Sequence, residues 1–269
     1  MKEPAESCTL WTAATSDVGL VRSGNEDGVW LAGDFVRDGH RSLVIDPSTV
    51  DGGVFLAVAD GVGGAAAGEV ASRFVLEEMA LRAGQVPAAM DASSVGSWMV
   101  ERARSVNDEL AARGSESSDL KGMATTLTGI YVRGSSALWI NAGDSRLYAL
   151  REGTLHQVSR DHTLRELLGD PTIPGNIIAN CFGSQNEFYL DTGELPATDL
   201  SSGDVIYLIC SDGLSDYTEH SMLESIVTKC GQEASPAALG RAAGRLVDAA
   251  KAGGGGDNIT CLLVWPRRA

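Results

Sequence analysis

Apolar positions in this chain follow two rhythms. Six short runs, Val54–Ala59, Thr126–Val132, Ala137–Ala142, Leu147–Leu150, Val205–Cys210 and Ile259–Trp265, are rich in Val, Ile, Leu and aromatic residues and are bounded by Gly, Asp or Ser. That pattern predicts β-strands. Arg133-Gly134-Ser135-Ser136, between the second and third runs, predicts a hairpin turn. Elsewhere apolar residues recur every three or four positions: Ala67, Ala71, Val75 and Met79; Val95, Trp98, Met99, Ala103, Val106 and Leu110; Leu239, Ala242, Ala243, Leu246 and Ala250. These stripes predict three amphipathic helices. Strands and helices are grouped rather than strictly alternating. The expected class is therefore α+β, with mainly antiparallel sheets covered by helices on their outer faces.

With 269 residues, 43% of them hydrophobic, the chain can bury a core of its own. The quartet Gly253–Gly256 has the composition of a linker, yet it runs into Asp257-Asn258 and the last apolar run. It reads as a tight functional loop inside a single domain spanning 1–269. No stretch approaches the ~20 consecutive apolar residues of a membrane helix. The opening MKEPAESCTL lacks the apolar centre of a secretory signal. The five cysteines are odd in number and form no CxxC, which speaks against a disulfide framework or a zinc site. Cys210 and Cys261 sit in apolar runs and read as core residues. The expectation is a cytoplasmic monomer without membrane association. A net charge of −15 repels polyanions, so nucleic acid is not an expected partner. Excess acid serves solubility, or it converges on metal; the motifs bear on which.

Apolar runs end repeatedly in aspartate: Val58-Ala59-Asp60-Gly61, Asn141-Ala142-Gly143-Asp144 and Ile209-Cys210-Ser211-Asp212-Gly213, while Asp257 stands before the last run. A lone Asp-Gly makes a turn. Repeated at strand ends, such carboxylates are held by rigid sheets with their oxygens free for hard divalent cations. The glycines of Asp60-Gly61-Val62-Gly63-Gly64, ahead of Gly68-Glu69, allow close backbone approach to a ligand. No Gly-Lys-Ser/Thr follows, so this is not a Walker loop. Arg22-Ser23-Gly24-Asn25-Glu26-Asp27 reads either as an ion-paired surface turn or as a phosphate-gripping guanidinium beside metal-site acids.

Taken in order, Arg22-x-x-Asn25-Glu26-Asp27, Asp60-Gly61-x-Gly63-Gly64 with Gly68-Glu69, Thr125-Thr126, Gly143-Asp144-Ser145-Arg146, Ser211-Asp212-Gly213-x-x-Asp216 and Asp257-Asn258-Ile259-Thr260 resemble the successive motifs of the bacterial metal-dependent protein phosphatase (protein phosphatase 2C-like) family. They span about residues 12–265. The resemblance implies a four-layer αββα fold: a central β-sandwich of two antiparallel sheets with helices on both outer faces. It implies two Mn²⁺ or Mg²⁺ ions and room for a third. Asp60 resembles the carboxylate shared by two metals, and Gly61 the residue that binds one through its carbonyl. Asp212 and Asp257 resemble ligands of the other. Glu26 and Asp27 resemble outer acids that hold metal-bound water, Arg22 the phosphate clamp, and Asp144 the acid that shares a third metal with Asp212. Thr126 and Asp216 occupy supporting positions.

The chain departs from the animal branch at Val62, where those members carry a histidine; His156 and His162 remain as other candidates for proton transfer, His162 reading as structural. The segment after Asp161 corresponds to the family's flap and is short, with Pro171-Thr172-Ile173-Pro174-Gly175 in place of a longer helical stretch. The expected activity is hydrolysis of phosphoserine and phosphothreonine in proteins, opposing a serine/threonine kinase. The alternatives are a phosphoprotein-binding regulator and a phosphatase of a small phosphorylated metabolite.

Overall fold

The computed structural model describes residues 8–62, 66–184 and 187–268, with Ala66 as backbone only. The first seven residues and Gly63 and Gly64 of the glycine-rich motif lie outside the described residues. In chain order the first 116 residues form β1 (Cys8–Asp17), β2 (Gly28–Leu31), β3 (Asp34–Val36), β4 (Gly39–Ile45), β5 (Val54–Ala59), the short β6 (Gly61–Val62), and helices α1 (Ala66–Ala83) and α2 (Ala92–Glu116). Next come β7 (Ala124–Thr125), β8 (Leu127–Arg133), β9 (Ser136–Ala142), β10 (Arg146–Arg151) and β11 (Thr154–Gln157). After α3 (Leu164–Leu168), β12 (Asp191–Leu195), α4 (Ala197–Ser202) and β13 (Ile206–Cys210), the chain closes with α5 (Asp212–Ser215), α6 (His220–Glu233), α7 (Pro236–Ala252) and β14 (Ile259–Arg268).

Two six-stranded sheets result, ordered β11-β10-β13-β14-β1-β4 and β12-β9-β8-β5-β2-β3, and every ladder in them is antiparallel. Between them lies a core that includes Leu10, Leu56, Ile130, Tyr207, Ile209 and Leu262. The outer face of the second sheet packs under α1 and α2, and that of the first under α6 and α7. This is the expected αββα sandwich. The predicted stripes are the buried faces: Val95, Met99, Ala103, Val106 and Leu110 on α2, and Leu239, Ala242, Ala243, Leu246 and Ala250 on α7. Asp91 caps α2 by accepting from the Ser94 N–H at 2.9 Å; Ser235 caps α7, with Pro236 in its first turn.

Most predicted strands lie within a residue or so of those observed, and the last continues beyond Trp265 to Arg268. Thr126 falls outside β8 for a physical reason: its N–H leaves the ladder to donate to the Asp60 carbonyl at 2.9 Å. Residues 162–200 are not all flap. Asp191–Leu195 is the edge strand beside β9, and α3 lies in the segment ahead of it. Among the described residues no helix is long and apolar enough to cross a membrane.

Candidate active site

Every acid singled out by the motifs stands at one end of the sandwich. Asp27 precedes β2, whose Gly28 pairs with Ala59, so Asp27 and Asp60 lie side by side at the end of the second sheet. Asp144 follows β9 on that same sheet. From the other sheet, Asp212 follows β13 and Asp257 precedes β14, and those two strands pair Cys210 with Cys261. Sheet register therefore decides the site.

The backbone around Asp60 is clamped. Its N–H donates to Thr126 Oγ1 at 3.0 Å, and its carbonyl accepts from Thr125 Oγ1 at 2.8 Å. A Cβ at Gly61 would stand 2.3 Å from the Gly68 carbonyl oxygen, and one at Gly68 would stand 2.6 Å from Glu26 Oε2. Only glycine lets the start of α1 approach β6 and the Glu26 segment this closely.

The carboxyls are crowded and dry. Burial, reinforced by the neighbouring acids, drives the Asp60 carboxyl well above the usual carboxylate range. Burial also pushes Asp27 up to about 7, against the pull of hydrogen bonds from Ser211 and Thr260. Asp144 rises to about 7 through burial and the charge of Asp212. Asp212 rises to about 6 through burial and the charges of Asp216 and Asp257. Asp60 and Asp212 also act on one another, and burial holds both carboxyls above the usual carboxylate range. Asp27 Oδ2 accepts from Ser211 Oγ at 2.7 Å, but its Oδ1, like Asp144 Oδ1, is buried without a partner among the described residues. Among the described residues no three such groups close into a ready-made ion cage. Orphaned buried carboxylate oxygens nevertheless demand a positive partner. An all-oxygen donor set fits a hard divalent cation.

At the rim, Arg22 Nη2 donates to Asp257 Oδ2 at 2.7 Å with half of the arginine side chain exposed. The same carboxylate raises the arginine pKa further, so the guanidinium stays charged.

These observations match a family. The protein phosphatase 2C family profile matches residues 42–242. The chain belongs to the protein phosphatase 2C family. It is 34% identical over 266 residues to serine/threonine protein phosphatase PstP of Mycobacterium tuberculosis, covering 93% of this chain but 44% of that protein. The chain thus spans under half the length of that relative. It is 30% identical over 259 residues to serine/threonine phosphatase stp of Listeria welshimeri, with 93% of each chain covered. The solved catalytic domain of PstP in complex with two manganese ions superposes with a TM-score of 0.71 at 32% identity, covering 97% of this chain and 99% of that one.

Within this phosphatase 2C site several contacts escaped the sequence reading. Arg37 Nε donates to the Asp27 carbonyl at 2.6 Å and Nη2 to Ser72 Oγ at 2.8 Å, tying the acid segment to α1. Asn258 is a three-way clasp. Its Oδ1 accepts from the Glu26 N–H at 2.8 Å, and its Nδ2 donates to the Val18 and Gly24 carbonyls, each at 3.0 Å. The Arg22 loop hangs on that amide. Asn258→Ala is expected to destabilise the protein by ~2–4 kcal/mol, since it strands three partners of a buried side chain. Urea denaturation checks this, and a loss below ~0.5 kcal/mol would show the loop to be held elsewhere. Of the histidines, His162 is buried behind Gly143 and His156 lies exposed on β11.

Proposed function

We propose that this chain is a Mn²⁺- or Mg²⁺-dependent phosphatase of phosphoserine and phosphothreonine in proteins, acting as a single catalytic domain and opposing a serine/threonine kinase. The observation that carries the reading is the cluster Asp27, Asp60, Asp144 and Asp212, raised in pKa by burial and by one another, with Asp257 beside it holding a charged arginine. Asp60, the Gly61 carbonyl, Asp212 and Asp257 would hold two ions, with Glu26 and Asp27 behind them; Asp144 would share a third with Asp212. Bound metal would supply Lewis acidity and lower the pKa of water towards ~7. The protein's own groups bind and orient. Arg22 presents free N–H donors to the phosphate while Asp257 fixes its head. The clamp on Asp60 and the clasp at Asn258 keep both sides of the site rigid, which preserves the in-line geometry that phosphoryl transfer needs. Five free, buried thiols support a reducing, cytoplasmic setting.

The test is turnover of a phosphothreonine peptide and of an aryl phosphate with and without added Mn²⁺. Turnover of neither, under conditions where the protein is folded and metal-loaded, would sink the reading. Competition with small phosphorylated metabolites separates a protein substrate from a metabolite.

Arg22→Ala is expected to raise KM for phosphorylated substrates more than it lowers kcat. A charge-assisted contact is worth ~1.5–3 kcal/mol. The loss in kcat/KM should therefore be on the order of 10–100-fold, and steady-state kinetics on the peptide checks it. Unchanged kinetics would make Arg22 an ordinary surface residue paired with Asp257.

A further inference from the structure

Behind the acid cluster sits an imidazole that the proposed chemistry does not use. His162 is 4% exposed, too deep to touch a substrate. Its Nδ1 faces two donors, the Gly143 N–H at 3.3 Å and Asn180 Nδ2 at 2.8 Å. Its Nε2 faces Asp191 Oδ2 at 3.1 Å, and the Tyr189 ring packs against it at 4.7 Å between centroids. The Asn180 amide has one orientation. Its Nδ2 donates to the Tyr189 carbonyl at 2.9 Å, and its Oδ1 accepts the Tyr189 N–H at 3.2 Å. A donor therefore faces Nδ1, so the ring proton lies on Nε2 and is given to Asp191. Burial favours this neutral form, opposing the Asp191 charge.

What the lone pair holds is the turn that carries Asp144. Gly143 has φ +119°, and a Cβ there would stand 2.5 Å from Thr126 Cγ2. Thr126 therefore fixes the turn from one side and His162 from the other. The His162 N–H adds a second tie, donating to the Gly143 carbonyl at 2.9 Å. On the flap side, the His162 carbonyl accepts from the Ala179 N–H at 2.8 Å. Asp144 follows directly, with a buried Oδ1 that has no partner among the described residues and whose aim depends on this turn.

We propose that His162 is a positioning residue of the phosphatase reaction: through Nδ1 it joins the returning leg of the flap, at Asn180, to the Gly143–Asp144 turn, so that flap base and acid hold one geometry. This rests on the phosphatase reading above. The ring acts through Asp144 and gives or takes no proton in the reaction.

Two near-isosteric variants separate this role from a general contribution to folding. His162→Asn places an amide oxygen near the Nδ1 position, keeping the acceptor and losing Asp191. His162→Gln places an amide nitrogen near Nε2, keeping Asp191 and losing the acceptor. Kinetics on a phosphothreonine peptide should show kcat within about 3-fold of wild type for His162→Asn. For His162→Gln the loss should be about 10–100-fold, the usual cost of losing a group that orients a ligand residue, with KM little changed. In the metal-free protein, hydrogen exchange at the Gly143 amide should quicken at least about tenfold in His162→Gln and stay near wild type in His162→Asn. This second measurement needs no catalysis, so an inactive wild type would overturn the phosphatase reading and still leave the tie to be judged. Equal losses in the two variants, or losses that follow their melting temperatures, would overturn the proposal.

Discussion

Asp60→Asn is expected to lower kcat on the order of 10³-fold or more, on aryl phosphates and phosphopeptides alike, without unfolding the protein. Asp60 is acted on by burial and by Asp27, Asp212 and Asp144 at once, which raises its pKa well above the usual carboxylate range. Its backbone is fixed by Thr125 and Thr126, so a side-chain amide can be accommodated without moving the strand. Asparagine carries no charge at any pH, so it replaces a carboxyl whose charged form burial and the neighbouring acids penalise. The metal-free variant should consequently melt no lower than wild type, while any metal-dependent rise in melting temperature shrinks. The measurements are steady-state kinetics and thermal melts with and without Mn²⁺. Retention of more than about a tenth of wild-type kcat would remove Asp60 from the centre of the proposed site.

Stripping divalent cations with a chelator is expected to abolish turnover and to expose an unusual dependence of stability on pH. Asp27 and Asp144 sit near 7 and Asp212 near 6 in the folded state, and Asp60 is raised as well. Unfolded, all of them return to the ordinary carboxylate range near 3.9. Between about pH 4 and pH 7 the folded chain thus binds more protons than the unfolded one, and stability falls as pH rises through that window. Its full contribution is present only below about pH 4. The coupled groups together should be worth several kcal/mol, of the order set by 1.36 kcal/mol per pKa unit. Mn²⁺ or Mg²⁺ at neutral pH should restore what is lost, by mass action on the folded state. Denaturant titrations at pH 5 and pH 7.5, with chelator and with metal, test this. A metal-free stability that is flat or rising across the window would contradict it.

The strands legible in the sequence are mainly those covered on both faces. Val54–Ala59 and Ile206–Cys210 are buried at every position and read as unbroken apolar runs. The pattern does not reveal β1, because polar Thr12 and Ser16 face inward there and find partners: Thr12 Oγ1 donates to the Leu43 carbonyl at 2.9 Å, and Ser16 Oγ accepts from Thr260 at 2.9 Å. Nor does it reveal β4, an edge strand whose first four residues are exposed. Helix α6 carries a readable stripe, Leu223, Ile226, Val227 and Cys230, too short to stand out beside α2 and α7.

In the site, the acids were legible because each ends or precedes an apolar run, and the structure gathers them at one end of the sandwich. Arg37, Asn258, Ser211 and the pair His162–Asn180 were not legible as a set. Their contacts join segments far apart in the chain, such as Asn258 with Gly24, and no local spacing encodes such a bond. Arg37-Asp38-Gly39 looks like any charged turn until the fold brings it against Asp27.

β1 and β14 pair along their whole lengths, Cys8 with Arg268 through Asp17 with Ile259, in the interior of the first sheet. The Arg22–Asp257 pair and the Asn258 clasp lie just beyond that ladder. Closing a loop of this length carries a large entropic cost and is slow, so it is a late event of folding. During synthesis β1 has β4 at hand early, but its ladder with β14 must wait until residues 259–268 have left the ribosome. The Arg22–Asp257 pair and the Asn258 clasp therefore form only once that last strand is in place, whereas Ser211 already ties Asp27 to the other sheet without it.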